Sequence, residues 1–339
     1  MPSSLVVPVA LVDKILPHPN ADKLEIAHVL GWQVVVRKGE FSEGQRVVYF
    51  PPDTVLPQEL SDRLGVTQYL SKGRIRCAKL RGEPSFGLAI PVADPAWELG
   101  WNAAEWYGAT KYEPPVRPNA GDVETPDPLF VEYTNIENMR NFPDIVTPGE
   151  TVVVTEKIHG TSCRVGVIQG ALMAGSHRQR RKEPEDKAYG RNTYWSPLEI
   201  EGVRDLMNEF SGVNRQVILF GEVYGAGIQS FTYGLKNATG FRAFDLMFDG
   251  KYAGAEEFAK LMDEYDIPRV PVLYQGPFDI EKIRELSGGE TTLAEGANIR
   301  EGVVVRPLIE RTDPKVGRVC LKYLSDQYLF AEKSDYTEQ

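Results

Sequence analysis

Thr151-Val152-Val153-Val154-Thr155-Glu156-Lys157-Ile158-His159-Gly160-Thr161-Ser162 is a β-branched run that ends on a lysine and then turns through His-Gly. β-Branched enrichment predicts a strand from Thr151 to Glu156, which sets Lys157 at a strand end. A lysine in such a place acts as a nucleophile only as the neutral amine. Its ordinary pKa of about 10.4 makes that form rare near pH 7 unless the surroundings change it. Gly160 would let backbone approach a ligand closely. Taken alone, Lys-x-x-Gly is common by chance and reads first as a strand-end lysine before an ordinary turn.

Outward from this stretch, strands alternate with helices from Leu129 onward. Strands are expected at Thr151 to Glu156, Cys163 to Ile168, Gln216 to Phe220, Gly240 to Phe248, Glu301 to Arg306 and Arg318 to Tyr323. Helices are expected at Ser196 to Phe210, with Ser196 as N-cap, at Ala255 to Tyr265, and at Phe278 to Leu286 before Gly288-Gly289. The N-terminal part differs. From Leu5 to about Pro91 it shows short β-rich runs such as Trp32 to Val36 and Arg46 to Phe50, separated by glycine turns, which predicts a small β-barrel closed by the aromatic segment Trp97 to Tyr112. Between the two parts, Glu113 to Pro128 holds five prolines and reads as an extended linker. The expected division is therefore 1–112, a linker over 113–128, and 129–339. The fold class is α+β, with antiparallel sheets flanked by helices in the second part.

The net charge of −10 argues at first sight against nucleic acid. Yet residues 1–112 carry twelve Lys/Arg and twelve Asp/Glu, so the negative excess lies entirely beyond them. Within this neutral part Lys72, Arg74, Arg76, Lys79 and Arg81 crowd into ten residues, and the first three alternate as on one face of a strand. They form a candidate phosphate-tracking stripe; a charged, solvated edge strand is the competing account. A second basic run is Arg178-Gln179-Arg180-Arg181-Lys182. Cys77, Cys163 and Cys320 lie far apart, and the four histidines show no ligand spacing with them, so neither a disulfide framework nor a zinc site is expected. No apolar run of about 18 residues and no secretory leader are evident, which predicts a cytoplasmic protein that does not enter a membrane. Phosphate loops of the Gly-x-x-x-x-Gly-Lys-Ser/Thr kind are missing, and Gly225-Ala226-Gly227-Ile228-Gln229-Ser230 lacks the third glycine of a dinucleotide fingerprint.

Five further segments follow Lys157 in order: Ser176-His177-Arg178, Leu219 to Gly225 around Glu222, Phe241-Arg242-Ala243-Phe244-Asp245, Glu301-Gly302-Val303-Val304-Val305, and Leu321-Lys322-Tyr323. With the lysine segment they resemble the six collinear motifs of the covalent nucleotidyltransferases, the group of polynucleotide ligases and mRNA capping enzymes. His159, where DNA ligases and capping enzymes usually have Asp, and the upstream Tyr133-Thr134-Asn135-Ile136-Glu137-Asn138 look like the RNA ligase branch that seals nicks. Only seventeen residues follow Lys322, too few for the OB domain that DNA ligases generally place there. Instead His18 to Leu24, Gly31 to Gly39 and Leu80 to Gly87 resemble an OB-type tRNA-binding module at the front. An N-terminal OB domain before an adenylyltransferase domain is the layout of one ATP-dependent RNA ligase family, which the chain resembles over nearly its full length.

The resemblance implies roles residue by residue. Lys157 would take AMP from ATP; Glu156 and the ring of Phe244 would hold adenine; Glu222 would accept hydrogen bonds from the ribose. Gly160 lies in the nucleotide loop, Arg178 would meet a phosphate, and Lys322 would neutralise the α-phosphate. Glu301 would act on Mg²⁺ or Mn²⁺ through water, and His159 would either bind a metal water or order the loop. Arg180 and Arg181 join the stripe as RNA contacts. Many ligases have Lys-x-Lys where this chain has Lys322-Tyr323-Leu324, so Arg318 or another base would supply the second charge. The expected partner is RNA, as a nicked duplex or broken ends, with no obligate protein partner. Alternatives are a DNA ligase or capping guanylyltransferase, or a non-catalytic RNA-binding protein.

Overall fold

The computed structural model describes residues 5–113 and 122–331. Residues 114–121 of the expected linker lie outside this range. From Asp122 the chain is laid along Arg180–Arg181, with Glu124 N donating to Arg180 O and Lys182 N to Asp122 O.

Five strands form the N-terminal barrel sheet, in the spatial order Trp32–Arg37, Leu24–Val29, Val9–Pro17, Arg46–Phe50 and Leu88–Pro91. All pair antiparallel, and a register shift between Val12 and Lys14 bends the long first strand so that it pairs on both sides. The aromatic segment after it does seal the barrel: Ala103 N donates to Val7 O, and Trp97 is buried beside Val9, Val48 and Phe50. Trp106 remains exposed.

Two sheets make up the second part. One has the order Glu137–Asn138, Leu321–Leu324, Gly302–Pro307, Thr151–Lys157 and Val272–Pro277; the other runs Arg180–Arg181, Ala171–Ser176, Thr161–Ile168, Gln216–Gly225, Thr239–Phe248 and Lys251–Tyr252. Pairing is antiparallel apart from Glu137–Asn138, which lies parallel to Leu321 and Lys322. The strand Thr151–Lys157 ends in the first sheet, and after three residues Thr161–Ile168 opens in the second. Ile158-His159-Gly160 is therefore the crossing between sheets, with Lys157 at its lip.

Helix Glu201–Ser211 buries Val203, Leu206 and Met207 against the six-stranded sheet, the i, i+3, i+4 pattern of one apolar face. Each such side chain contributes roughly 1.5–3 kcal/mol by removal from water. Helix Ala255–Glu264 does the same with Phe258, Leu261 and Met262. The expected long helix from Ser196 is instead a 3₁₀ turn, Ser196–Glu199, followed by Glu201–Ser211. Ser196 does not cap it: its hydroxyl donates to Thr193 O. The strands Ala171–Ser176 and Val272–Pro277 and the helices Gln58–Arg63 and Asp326–Phe330 carried no expectation. That last helix has a structural consequence, because Leu324, Tyr328 and Leu329 share one apolar cluster with Trp32, Tyr49 and Phe86 of the barrel. No helix among the described residues is long and apolar enough to cross a membrane.

Candidate active site

Side chains alternate along Thr151–Lys157. Val152 and Val154 enter the core beneath the five-stranded sheet, whereas Val153, Thr155 and Lys157 line a cleft between the two sheets of about 1260 Å³. This cleft also takes in His159, Gly160, Ser176, Arg178, Glu222, Phe244, Glu301 and Lys322. Every expected catalytic and nucleotide residue thus converges on one volume, with Arg74 and Tyr112 reaching it from the barrel side.

Lys157 Nζ donates to both oxygens of Glu301, at 2.9 and 3.0 Å. Gly302 pairs with Lys157 across the adjacent strands, which sets the two side chains at the same level of the sheet. Burial works against the charged ammonium, but Glu301 and Glu222 outweigh it, and the Lys157 pKa is displaced upward. Burial likewise pushes the Glu301 carboxyl up, yet Lys157 and His159 pull harder and leave it below the usual carboxylate value. Glu222 moves the other way: burial, reinforced by the charge of Glu301, pushes it up to about 8. The resting site is a closed ion pair beside a carboxyl that holds its proton near neutrality.

His159 is fixed from several sides. Its backbone N donates to Tyr233 Oη at 2.6 Å, its Nε2 lies 3.3 Å from Ser230 Oγ, and its Nδ1 lies 3.6 Å from Glu301. Gly160 is also required by its packing. A Cβ there would stand 2.2 Å from the carbonyl oxygen of Val223 and 3.0 Å from Glu222 Cγ, so the constraint comes from the neighbouring strand.

Phe244 stands at the cleft with Tyr133 edge-on, their centroids 4.8 Å apart. Behind them Asp245, fully buried, accepts from Tyr133 Oη at 2.8 Å, Arg318 at 2.6 Å and Arg306 at 3.3 Å. Arg318 also pairs with Glu310 at 2.6 Å and covers the Tyr252 ring at 3.6 Å. Arg318 is therefore committed to the wall behind Phe244 and does not supply a second charge beside Lys322.

Several expected residues have partners that spacing alone did not show. Glu156 also lines the cleft, and its buried carboxylate accepts from Thr291 Oγ1 at 2.5 Å, Thr292 N at 2.9 Å and Thr292 Oγ1 at 2.6 Å, with Arg300 3.6 Å away. These bonds tie the 288–300 loop to the strand that ends at Lys157. The basic stripe is not one strand face. Lys72 sits in a turn with φ of 55°, and Arg74 is buried, ion-paired with Asp53 and stacked 3.8 Å over Tyr112. Lys79 and Arg81 belong to the hairpin of Ala78–Leu80 and Glu83–Ser85; with Lys72 and Arg76 they are exposed. Arg181 is buried, paired with Asp122 at 2.8 Å and lying over Tyr194, and it lines the cleft, whereas Arg180 stays partly open and reaches Thr125 O at 3.5 Å.

Tyr133, Ser230, Tyr233, Thr291 and Thr292 complete the site without having been singled out individually. Only Tyr133 carried a signal, through the segment it opens; the others act through hydrogen bonds that leave no trace in residue spacing.

Among the described residues no three His, Cys, Asp or Glu side chains assemble a protein-only metal cage. The Glu301 carboxylate, with the His159 imidazole 3.6 Å from it, offers instead the sparse donor set of a cation that keeps most of its waters, which fits Mg²⁺ or Mn²⁺.

A family model described as RNA ligase matches residues 150–324, and one described as an OB-fold domain matches residues 6–92. Solved structures of Naegleria gruberi RNA ligase are similar along almost the whole chain. The form with PPi is 26% identical with a TM-score of 0.71, covering 96% of this chain and 97% of that one. A mutant with AMP and Mn is 25% identical at a TM-score of 0.72, covering 97% and 99%. A second mutant, with ATP and Mn, is 25% identical at 0.71 with the same coverage. No curated protein matches significantly. With an RNA ligase model matching more than half of its length, and the lysine, the carboxylates and the aromatic platform of the cleft all falling inside or beside that match, this chain belongs to the RNA ligase family.

Proposed function

We propose that the chain is an ATP-dependent RNA ligase that joins a 3′-hydroxyl to a 5′-phosphate through lysyl-AMP on Lys157. The observation that carries this is the placement of Lys157 Nζ at the crossing of two sheets, against Glu301 and in one cleft with Phe244, Glu222 and Lys322. Solved relatives described with ATP or AMP and Mn support the choice of nucleotide and cation.

In the first step Nζ gives a proton to solvent and attacks the α-phosphorus; an N–P bond forms, and the bond to pyrophosphate breaks. The ion pair with Glu301 holds the resting lysine charged, so opening that pair precedes attack. Phe244 stacks on adenine, Glu222 accepts from the ribose, and Lys322 and Arg178 oppose phosphate charge. Glu301, with His159 beside it, would hold the cation's waters. When bound, that cation supplies positive charge against the α-phosphate oxygens. AMP then passes to an RNA 5′-phosphate, and the 3′-hydroxyl displaces it.

Residues 1–112 form the RNA-gripping OB unit in this reading, 113–128 the connection and 129–339 the adenylyltransferase unit, with a nicked duplex as substrate. Exposed Lys72, Arg76, Lys79 and Arg81 supply phosphate contacts. The test is sealing of matched nicks that differ only in RNA or DNA around the break. Efficient joining is expected where the 3′-hydroxyl strand is RNA, and equal joining of an all-DNA nick would overturn the assignment.

A further inference from the structure

The helix Asp326–Phe330 touches both halves of the molecule. Its cap residue Ser325 donates from its backbone N to Glu301 O at 2.9 Å, donates from Oγ to Arg300 O at 2.9 Å, and accepts from Tyr328 N at 3.0 Å. The helix is thus fastened to the backbone of the carboxylate that pairs with Lys157. On its other side Tyr328 and Leu329 are buried in the barrel's apolar cluster with Trp32, Tyr49 and Phe86. Arg140 adds a clamp: it pairs with Asp326 at 2.6 Å and lies over the rings of Trp32 and Tyr323 at 5.0 and 4.3 Å.

Tyr328 also meets the active site directly. Its ring centroid is 5.6 Å from that of His159, and Phe231 closes the triangle at 5.0 Å from His159 and 5.8 Å from Tyr328. Two polar neighbours, Ser230 and Glu301, stand at the two ring nitrogens of His159, while these aromatic rings bound its remaining edges. An imidazole held only by a 3.3 Å and a 3.6 Å contact could turn about its Cβ–Cγ bond. The two rings remove that freedom.

We propose that Tyr328 is a positioning residue of the adenylylation step: its ring, seated in the barrel core, fixes the His159 imidazole against Glu301 and so sets the geometry from which Lys157 is released. The inference rests on the reading of Lys157 as the adenylylated residue. It also gives the barrel a second task, because the apolar cluster that holds Tyr328 belongs to residues of the N-terminal sheet.

Three variants of the full chain test it: Tyr328→Leu, Tyr328→Phe and, as a control of similar burial without a His159 contact, Leu329→Ala. Two measurements are made on each. One is the single-turnover rate of lysyl-AMP formation as a function of ATP; the other is the ¹⁵N imidazole spectrum of His159 in the resting protein. Tyr328→Leu should slow adenylylation about ten- to hundredfold, the usual cost of a slightly misplaced site, with KM for ATP little changed, and should convert His159 from one tautomer to an averaged pair. Tyr328→Phe should restore both, and Leu329→Ala should leave both near wild type. A slowed rate with an unaltered His159 spectrum, an altered spectrum at full rate, equal defects in Leu329→Ala, or no rescue by Phe would each overturn the proposal. If Tyr328→Leu does not fold, Phe231→Leu takes its place, because it opens the same cage from the other side. Failure of the wild-type chain to form lysyl-AMP would refute the underlying reading instead.

Discussion

Glu156→Gln separates two roles for the residue next to the nucleophile. In the structure its carboxylate is 1% exposed and accepts three hydrogen bonds from Thr291 and Thr292, with Arg300 nearby. Glutamine keeps the shape but carries one acceptor oxygen where there were two, and it turns an NH₂ toward donors. At least one buried donor is left unsatisfied, and the charge facing Arg300 is lost. An unsatisfied buried partner costs about 1–3 kcal/mol, and bonds to charged groups lie at the upper end. Allowing for partial relaxation of the loop, the variant should lose about 2–4 kcal/mol of stability. Urea unfolding checks this, and amide exchange should quicken locally over residues 288–300. KM for ATP and the preference for ATP over GTP should stay close to wild type. A variant of unchanged stability with KM for ATP raised tenfold or more would refute the reasoning, because it would mean that the carboxylate reads the base.

Asp245→Asn should destabilise the protein by about 3 kcal/mol, the order expected when one partner is removed from a buried charge network, since Arg306 and Tyr133 keep no equivalent acceptor; denaturant titration measures it, and a loss below about 0.5 kcal/mol would contradict the network's role. Glu222 gives a pH signature. Its folded pKa of about 8 stands above the unfolded value of 4.5, so its stabilising contribution is complete below 4.5 and is lost as pH rises through 8. Glu222→Gln should therefore gain stability relative to wild type between pH 5 and pH 9 in the nucleotide-free protein, and a difference independent of pH would show that the carboxyl is already ionised at pH 5.

The parts of the fold that were legible in the sequence are those where local pattern and tertiary demand agree. Thr151–Lys157 is β-branched throughout its first five residues and is a central strand, and Ala255–Glu264 combines apolar spacing with a stop before Pro268. The edge strand Val272–Pro277 escaped notice because it contains Gly276 and Pro277 and is half exposed, so pairing with Thr151–Lys157 defines it more than composition does. Asp326–Phe330 is one short turn of helix whose stability comes from the barrel it plugs. In the site, order along the chain brought Lys157, Glu222, Phe244, Glu301 and Lys322 to one cleft, but facing was harder to read. Adjacency in sequence does not say which side of a strand or turn a charge will occupy, and the side chains of Glu156 and Arg74 each meet a buried partner that spacing did not reveal. Arg318 was similarly close in sequence to Lys322 but is consumed by Asp245 and Glu310.

The central claim concerns one nitrogen atom. Incubating the wild-type chain with α-labelled ATP and Mg²⁺ or Mn²⁺ should produce a labelled protein band whose bond is acid-labile, as a phosphoramidate is, and peptide mapping should place the AMP on Lys157. Lys157→Ala, folded as judged by its unfolding midpoint, should give no band. Persistent labelling of that variant, or AMP mapped to another residue, would contradict the account.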